Sequence, residues 1–257
     1  METVLQAKDL CKTYIINKKQ NHVLRNVNFE LGKGEYVAVM GPSGSGKSTL
    51  LYTISGMDDM TEGQVEFLGQ EISSLNQNEL SNLRLNAMGF VFQQMHMLRN
   101  LTIYDNIIVS AYQSKKGKTR KQREAINRRA SELMRKMDIM DIADQDITEV
   151  SGGQLQRACI CRALINEPKI LFGDEPTGAL NSKASKEVME EFHRLNKEGM
   201  TILLITHDIK VAARTDKVLY LVDGNIEGEC QLGKFTEDSN RRERENKLSN
   251  WLLEMGW

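Results

Sequence analysis

Apolar residues recur along the chain in short runs that predict β-strands. Residues 23–31 alternate between apolar and polar positions, as a half-buried strand should. The positions on its apolar face are Val23, Val27, Phe29 and Leu31. Residues 36–40 form a short continuous apolar run, and further strands are predicted at 65–68, 90–92, 170–172, 202–205 and 218–222. Asp223-Gly224-Asn225, after the last run, predicts a hairpin turn.

Helical periodicity replaces the strand signals between about residues 94 and 165. This stretch contains a long charged helix from about Thr119 to Met137, and residues 47–54 predict a helix before it. Strands that alternate with helices on either side of the stretch predict an α/β core with a largely parallel sheet. We therefore expect a helical insert between the early and the late strands of one core.

The end of the chain predicts one more helix. Four apolar residues recur there at helical spacing and form a single stripe. They are Leu248, Trp251, Leu252 and Met255. The favoured interpretation is that this stripe packs on its own domain, and the alternative is that it docks on a partner.

Composition narrows the class of protein. The 257 residues are 40% hydrophobic and 27% charged, with a formal net charge of −1. That charge creates no global field that favours nucleic acid or an anionic membrane. Proline is scarce and no long linker is present, which favours one compact unit. No apolar stretch approaches the roughly 20 residues that span a bilayer, and the first residues do not resemble a signal peptide. We expect a soluble chain with any membrane role exercised through a partner.

Two other groups of residues leave alternatives open. Residues 115–129 are basic, with Lys115, Lys116, Lys118, Arg120, Lys121, Arg123, Arg128 and Arg129. The favoured interpretation is a solvated loop and helix face, and the sharper one is contact with anionic lipid headgroups or an acidic partner loop. Four cysteines lack metal-ligand spacing and are interpreted as reduced thiols of the core.

A glycine-rich loop carries the clearest chemistry. Residues 41–49 follow the apolar run 36–40 and open a predicted helix. Their order is Gly41-Pro42-Ser43-Gly44-Ser45-Gly46-Lys47-Ser48-Thr49, which fits the P-loop pattern. Glycines let backbone N–H groups turn toward a phosphate, and the helix adds its positive end. Lys47 can reach the β- and γ-phosphates, and the hydroxyl of Ser48 can ligate Mg²⁺. The loop predicts a nucleotide site.

Two carboxylates end the apolar run 170–172. In a chain with a P-loop, Asp174 is placed to hold Mg²⁺. Glu175 beside it can orient or activate the attacking water. Two solvated loop acids are the weaker interpretation, because carboxylates that end a hydrophobic strand need a cation nearby.

At this point the chain resembles the ATP-binding subunits of ABC transporters. The residues that carry the resemblance are the loop 41–49, Ser151-Gly152-Gly153-Gln154-Leu155-Gln156-Arg157, Leu171-Phe172-Gly173-Asp174-Glu175-Pro176-Thr177, Gln93 and His207. It extends to about residue 230. It implies a P-loop ABC ATPase fold with a mainly parallel sheet, an N-terminal antiparallel β part and an inserted helical subdomain at about 94–165. The implied domains are 1–235, which binds ATP, and a helical tail at 236–257.

The resemblance also implies residue roles. We call residues 151–154 the signature segment; its first three residues would bind the γ-phosphate of ATP on an opposite copy, so that the chain would act as a homodimer. The implied ATP contacts are Tyr14, Gly41, Pro42, Ser43, Gly44, Ser45, Gly46, Lys47, Ser48, Thr49, Gln93, Ser151, Gly152, Gly153 and Gln154. Ser48, Gln93 and Asp174 would hold Mg²⁺, and Glu175 and His207 would be catalytic. Tyr14 would stack on adenine, although a lone tyrosine is more often a packing residue.

Two residues depart from the family pattern. The signature usually begins with Leu, where this chain has Val150, a modest apolar exchange. The loop after Glu175 commonly carries an Asp, where this chain has Asn181. Asn keeps the hydrogen-bonding geometry and loses the charge, so coupling between two sites is expected to differ.

Residues 174–180, Asp-Glu-Pro-Thr-Gly-Ala-Leu, resemble the group that serves macrolide exporters, lipoprotein release and cell division. Within that group, residues 92–98, Asn181 and 250–257 are most similar to bacitracin- and lantibiotic-resistance subunits. This finer resemblance implies an ATPase that drives a transmembrane permease at the cytoplasmic face of the membrane, in antimicrobial peptide export or resistance. The alternative is a cell-division-type ATPase that regulates a membrane partner without transport. An ABC ATPase acting on nucleic acid, and a nucleotide-binding scaffold without hydrolysis, are the weaker hypotheses.

Overall fold

The computed structural model describes residues 2–114, 117–236 and 240–257. They divide into two compact units, where composition favoured one. The first unit joins Met1–Leu80 to Leu195–Trp257, and the second is Ser81–Arg194. The chain passes from one unit to the other within helices, at residues 80–81 and 194–195. Neither crossing in these described helices has a linker, so no pattern along the chain predicted the division.

Strands and helices are numbered here in chain order. The strands are β1 (Thr3–Ile16), β2 (Lys19–Gly32), β3 (Tyr36–Met40), β4 (Glu62–Phe67), β5 (Gln70–Glu71), β6 (Met88–Phe92), β7 (Ile170–Asp174), β8 (Thr201–Ile205), β9 (Lys217–Val222) and β10 (Asn225–Gln231). The helices are α1 (Lys47–Ile54), α2 (Gln77–Ala87), α3 (Ile103–Gln113), α4 (Arg120–Lys136), α5 (Gly152–Leu164), α6 (Ser182–Lys197), α7 (Ile209–Ala212) and α8 (Arg241–Glu254).

An antiparallel sheet in the first unit has the strand order β2-β1-β4-β5. Strand β2 buries Val27, Phe29 and Leu31 as predicted, but Leu24 is buried in place of the half-buried Val23. The register between β1 and β2 shifts on either side of Leu10, and each shift interrupts the strict alternation. The strand predicted at 65–68 ends one residue earlier, because Leu68 has a φ of 52° and belongs to the turn before β5.

A parallel arrangement forms the core of the first unit. Strand β3 lies between β8 and β9 and is parallel to both. All of its five residues are buried, as a strand covered on both faces requires. Strand β10 pairs antiparallel with β9 through the predicted turn, in which Asp223 and Gly224 have φ of 46° and 83°. Both central residues have positive φ, as a type I′ hairpin turn demands.

The second unit pairs two parallel strands, β6 and β7, and contains helices α3, α4 and α5. The long charged helix is confirmed as α4. Its N-terminus is fixed by a capping box, in which Thr119 accepts a hydrogen bond from the Gln122 backbone and the Gln122 side chain accepts one in return. These helices occupy the part of the chain where helical periodicity dominates.

The C-terminal helix α8 packs on its own unit. Leu248 and Leu252 are fully buried in a cluster with Met40 of β3 and Tyr220 of β9, and Trp251 and Met255 pack against that cluster. The Arg244 side chain fastens the helix by donating hydrogen bonds to four backbone carbonyls, those of Ala213, Thr215, Leu232 and Gly233. The predicted apolar stripe and its preferred packing are confirmed.

The basic segment 115–129 and the four cysteines are the two groups whose interpretation the sequence left open. In the basic segment, Arg129 binds backbone carbonyls of the chain itself, and Lys115 and Lys116 lie outside the described residues. The four cysteines are free thiols, and three of them are buried. Across the described ranges, no helix combines the length and the apolar character needed to cross a membrane, and no cluster of His, Cys, Asp and Glu suits a metal ion.

Candidate functional site

The loop 41–49 connects the buried strand β3 to helix α1, as predicted. Gly46 immediately precedes the helix with a φ of 87°, in the left-handed region. A Cβ atom on Gly46 would lie 2.7 Å from the carbonyl oxygen of Val23, so this position excludes every residue with a side chain. In this described part of the chain, no side chain caps the N-terminus of α1. The backbone there presents the positive end of a helix.

The Lys47 side chain turns back on the backbone of the same loop. The Lys47 ammonium donates to the carbonyl oxygens of Gly41, at 2.9 Å, and Pro42, at 3.0 Å. The hydroxyl of Ser45 is buried and has no hydrogen-bond partner among the described residues. Ser48 is exposed in the first turn of α1. The loop therefore gathers a cation, hydroxyl groups and a helix N-terminus, the chemistry that suits phosphate.

His207 lies near the same edge of the parallel strands as this loop. Residues Val39 and Ile205 are paired in neighbouring strands β3 and β8, and the loop begins two residues after Val39. His207 follows Ile205 by two residues and is exposed. The Thr206 amide donates to the carbonyl oxygen of Val39 at 3.2 Å, which fixes the backbone beside His207. In parallel sheets this carboxyl edge is where ligands bind.

Tyr14 is held by a partly buried ion pair, Lys12–Asp58, that the sequence did not predict. Its hydroxyl donates to Asp58 Oδ2 at 2.5 Å. The Lys12 ammonium lies 2.7 Å from Asp58 Oδ1 and 4.7 Å from the centre of the Tyr14 ring. Burial, together with the bond to Asp58, raises the pKa of Tyr14, so the phenol stays neutral. Burial opposes ionisation of Asp58, but the bonds from Lys12 and Tyr14 prevail and lower its pKa.

Gln93 and Asp174 meet at the carboxyl ends of β6 and β7 in the second unit. Phe92 and Asp174 are paired in register, and the Gln93 amide donates to the Asp174 carbonyl oxygen at 2.8 Å. Glu175 follows, half-buried, with a φ of 46° that a non-glycine residue rarely adopts. The structure thus places Gln93, Asp174 and Glu175 at the carboxyl ends of β6 and β7.

The signature segment forms the start of helix α5, as predicted. Ser151 is the N-cap, and its hydroxyl oxygen accepts a hydrogen bond from the Gln154 amide at 3.3 Å. The Gln154 side-chain oxygen in turn accepts from the Ser151 amide at 3.0 Å and from its hydroxyl at 2.9 Å. A Cβ atom on Gly153 would lie 2.9 Å from the Cβ of Ala184 on α6, so close packing explains this glycine. Ser151 and Gly152 are exposed.

The two residues that depart from the family pattern have ordinary structural surroundings. Val150 is half-buried directly before the signature segment. Asn181 precedes α6, and its side-chain oxygen accepts a hydrogen bond from the Ala184 amide at 2.9 Å. Asn181 therefore caps α6, a role that Asn and Asp fill equally well.

Comparison with known proteins decides the family. The protein-family profile described as "ABC transporter" matches residues 24–178, which include the loop 41–49, Gln93, the signature segment, Asp174 and Glu175. The chain belongs to the ABC transporter family. It is an ATP-binding and ATP-hydrolysing ABC subunit of a bacterial transporter.

Several relatives of this ABC ATPase cover most of its length. The ABC transporter ATP-binding protein YknY of Bacillus subtilis is 40% identical over 223 residues, which are 87% of this chain and 95% of the relative. MJ0796 of Methanocaldococcus jannaschii is 38% identical over 236 residues, 91% of this chain and 100% of the relative. The macrolide export ATP-binding/permease protein MacB of Chlorobium phaeobacteroides is 39% identical over 88% of this chain, which spans only 34% of MacB.

Solved structures confirm the fold class of this ABC ATPase. A dimeric structure of MJ0796, described as a bacterial ABC transporter cassette, matches with a TM-score of 0.81 and 37% identity. The match covers 90% of this chain and 100% of that one. A second structure of MJ0796, a dimeric post-hydrolysis state bound to ADP and Pi, has the same TM-score and 36% identity. The finer resemblance to bacitracin-resistance subunits is not specifically supported by these relatives.

Proposed function

We propose that this ABC ATPase binds the phosphates of ATP with residues 41–49. The supporting observation is the junction at which the left-handed Gly46 leads into helix α1 without a side-chain cap among the described residues. Such a helix end stabilises phosphate through its amide groups and its macrodipole. Lys47 would leave its two carbonyl acceptors for the β- and γ-phosphates. The other contacts proposed from this loop are Gly41, Pro42, Ser43, Gly44, Ser45, Ser48 and Thr49.

Tyr14 is the proposed platform for adenine. Its bond to Asp58 and the nearby Lys12 ammonium hold the ring in place before any base arrives. A pre-positioned ring loses little conformational freedom on stacking, which favours the bound state.

Ser48, Gln93 and Asp174 are proposed to hold Mg²⁺. A hydroxyl, an amide oxygen and a carboxylate are the oxygen ligands that this ion prefers. The bond of 2.8 Å that joins the backbones of Gln93 and Asp174 supports a shared role for these two residues. When bound, the ion would neutralise charge on the phosphate oxygens.

Glu175 is the proposed base that orients and polarises the attacking water. It follows Asp174 directly, and its half-buried position favours a carboxylate held in a defined orientation. Lys47 and His207 would stabilise the charge that spreads over the γ-phosphate during the reaction.

The signature segment is proposed to complete the site of a second copy of this chain, in a homodimer that closes on ATP. Ser151 and Gly152 are exposed at the start of α5, where a phosphate would be stabilised, and Gly153 and Gln154 are further proposed contacts. The dimeric structures of the relative MJ0796 support this proposal.

Glu175→Gln tests the proposed chemistry. The amide keeps the size of the side chain and one acceptor oxygen but cannot accept a proton. ATP binding and ATP-dependent dimerisation should persist, while steady-state phosphate release should fall by about 10²–10⁴-fold, the usual contribution of a general base. Hydrolysis at the parent rate would contradict the role of Glu175.

The domain limits remain proposals. We place the ATP-binding domain at 1–235, with a helical subdomain inserted at about 94–165, and a helical tail at 236–257.

The chain is proposed to act with a transmembrane permease at the cytoplasmic face of the cell membrane. Its similarity to MacB, which carries both an ATP-binding and a permease part by name, supports such a partner.

The proposed role of that pairing is antimicrobial peptide export or resistance, and the alternative is regulation of a membrane partner in cell division. Co-purification with the permease encoded in the neighbouring reading frame would test the pairing. Phosphate release by the purified complex, measured with and without bacitracin, separates the roles. Stimulation by the peptide supports resistance, and activity indifferent to it favours the alternative.

A further inference from the structure

Helix α5 carries a row of polar side chains along one face. Gln156, Cys159 and Arg162 follow one another at intervals of three residues, which places them on neighbouring turns. We call these three residues the α5 ridge. Gln156 and Cys159 are fully buried, and none of the three takes part in the predicted ATP chemistry. All three side chains donate to backbone carbonyls outside their own helix.

The acceptors of the α5 ridge belong to one short stretch, from the end of β6 into the loop that begins at Gln93. Arg162 donates from Nη2 to the carbonyl oxygen of Met95, at 2.7 Å, and from Nη1 to that of His96, at 2.8 Å. The Cys159 thiol donates to the same Met95 oxygen at 3.5 Å. Gln156 Nε2 donates to the carbonyl oxygen of Phe92 at 3.2 Å, on the other side of Gln93.

The chemistry of the ridge favours a firm grip on the loop. A guanidinium is always charged and presents its donors in a rigid fork, so its two bonds to adjacent carbonyls fix orientation as well as distance. Burial raises the pKa of Cys159 to about 11, so the thiol keeps its proton and remains a donor. His96 has a φ of 48°, a conformation that needs support from its surroundings.

A second helix holds the far end of the same loop. The Asn106 side chain on α3 is buried, accepts from the Leu98 amide at 2.7 Å and donates to the Leu98 carbonyl oxygen at 3.0 Å. Residues 93–98 are therefore bound to α5 at one end and to α3 at the other. We call these six residues the Gln93 loop.

Ordinary helix packing does not account for this arrangement, as a second arginine illustrates. Arg129 on α4 donates to the carbonyl oxygens of Leu164 and Ile165, at 2.9 and 3.0 Å. Those carbonyls belong to the C-terminal end of α5, where unpaired acceptors are expected and a cation stabilises the helix. Arg162 bypasses the carbonyls of its own helix end and binds the Gln93 loop.

We propose that Arg162 is a positioning residue for ATP hydrolysis, which fixes the Gln93 loop to the helix that begins with the signature segment. Ser151 and Arg162 are eleven positions apart, about 16 Å along a rigid helix. A displacement of the signature segment would then carry the Gln93 loop with it, and a displacement of the loop would reach the signature segment. This inference rests on the proposed roles of Gln93 and Ser151.

The test compares Arg162→Ala with Arg129→Ala. The second substitution removes two hydrogen bonds of similar length, which Arg129 donates to backbone carbonyls at the end of α5. Arg162→Ala should lower kcat by about tenfold or more, since small misplacements of reacting groups have effects of that size. KM for ATP should stay within about twofold, because Arg162 is not among the proposed contacts to ATP or Mg²⁺. Hydrogen exchange of residues 93–98 should accelerate. Arg129→Ala should leave both kcat and this exchange at parent values, whatever its melting temperature.

Arg162→Lys keeps the inference testable where the alanine variant does not fold. A lysine offers a single point charge instead of a fork, so kcat should lie between those of the parent and Arg162→Ala. Equal kcat losses in Arg129→Ala and Arg162→Ala would overturn the inference, as would parent kcat and parent exchange in Arg162→Ala. Gln93→Ala separates the two levels of the proposal. Parent kcat in Gln93→Ala contradicts the proposed role of Gln93. The hydrogen-exchange rate of residues 93–98 in Arg162→Ala still shows whether Arg162 holds the Gln93 loop in place.

Discussion

Helices α1 and α5 both begin with a glycine-containing motif that the sequence assigned to phosphate, yet their N-termini are built differently. At α1, the left-handed Gly46 takes the cap position, and no side chain caps the described backbone there. At α5, Ser151 and Gln154 form a capping box, in which the side chain of each residue accepts a hydrogen bond from the backbone amide of the other. The first end is open to a ligand, whereas the second is complete within its own chain.

The two helix ends therefore differ in the hydrogen bonds that a bound phosphate would have to displace. At α1 a phosphate would replace the bonds from the Lys47 ammonium to the carbonyl oxygens of Gly41 and Pro42. At α5 it would compete with the Gln154 side chain for the hydroxyl of Ser151. The capping box also keeps α5 ordered before any phosphate is present, because it supplies about 0.5–2 kcal/mol of helix stability. Such a pre-ordered helix end suits the proposed role of α5, which is to bind the γ-phosphate of ATP held by a second copy of the chain.

Alanine at the two glycines gives the largest expected contrast. In Gly46→Ala, the left-handed conformation costs about 1–2 kcal/mol, and the contact of 2.7 Å to the rigid Val23 carbonyl forces the loop to move. ATP affinity should fall by at least about 100-fold, as the loss of several phosphate contacts at about 1.5–3 kcal/mol each implies. Gly153→Ala faces only the Ala184 methyl group in an otherwise helical backbone.

Gly153→Ala should accordingly retain parental ATP affinity in the monomer, measured by titration with a fluorescent nucleotide. Its loss should appear in dimerisation and in phosphate release. Equal ATP affinities of the two variants would show that the open end of α1 is not the main phosphate site.

Ser151→Asp sharpens the comparison at α5, where capping and phosphate binding use the same side chain. Aspartate is as good an N-cap as serine, so the free energy of unfolding in urea should change by less than about 0.5 kcal/mol. Its negative charge would repel a γ-phosphate, and phosphate release should fall by about 10²-fold or more, comparable to the loss of a transition-state donor.

Ser151→Ala is the matched control for this substitution. It removes the cap without adding charge, so its unfolding free energy should fall by about 1 kcal/mol while hydrolysis declines less than in Ser151→Asp. If Ser151→Asp hydrolyses ATP faster than Ser151→Ala, Ser151 serves the helix alone.

The same contrast explains what the sequence could predict. The loop 41–49 lies in a continuous stretch of chain from a buried strand to a helix, so pattern and motif located it together. Strand β1 escaped prediction because register shifts around Leu10 break its alternation, and the antiparallel part was inferred only from the family resemblance. The division into two units was missed because both crossings lie inside helices.

Contacts between distant residues were beyond the sequence altogether. Lys12 and Tyr14 bind Asp58, which lies more than 40 residues further along the chain. No spacing pattern in the sequence predicts a contact over that separation. The α5 ridge was missed for another reason: Arg162 binds backbone carbonyls, which every residue possesses. The donor is visible in the sequence, but its acceptors carry no pattern.

Asn181 offers the smallest and most specific test, at the start of α6 in the second unit. Its side-chain oxygen accepts from the Ala184 amide, so Asn181→Ala should lower the unfolding free energy by about 1 kcal/mol. Asn181→Asp keeps that bond and restores the charge that the family usually carries here. Its stability in urea should match the parent, because Asn and Asp cap helices equally well. The ATP dependence of phosphate release should then change in Asn181→Asp if the missing charge alters coupling between two sites. An unchanged dependence, with the alanine variant destabilised, would assign Asn181 to capping alone and remove this position from the account of coupling.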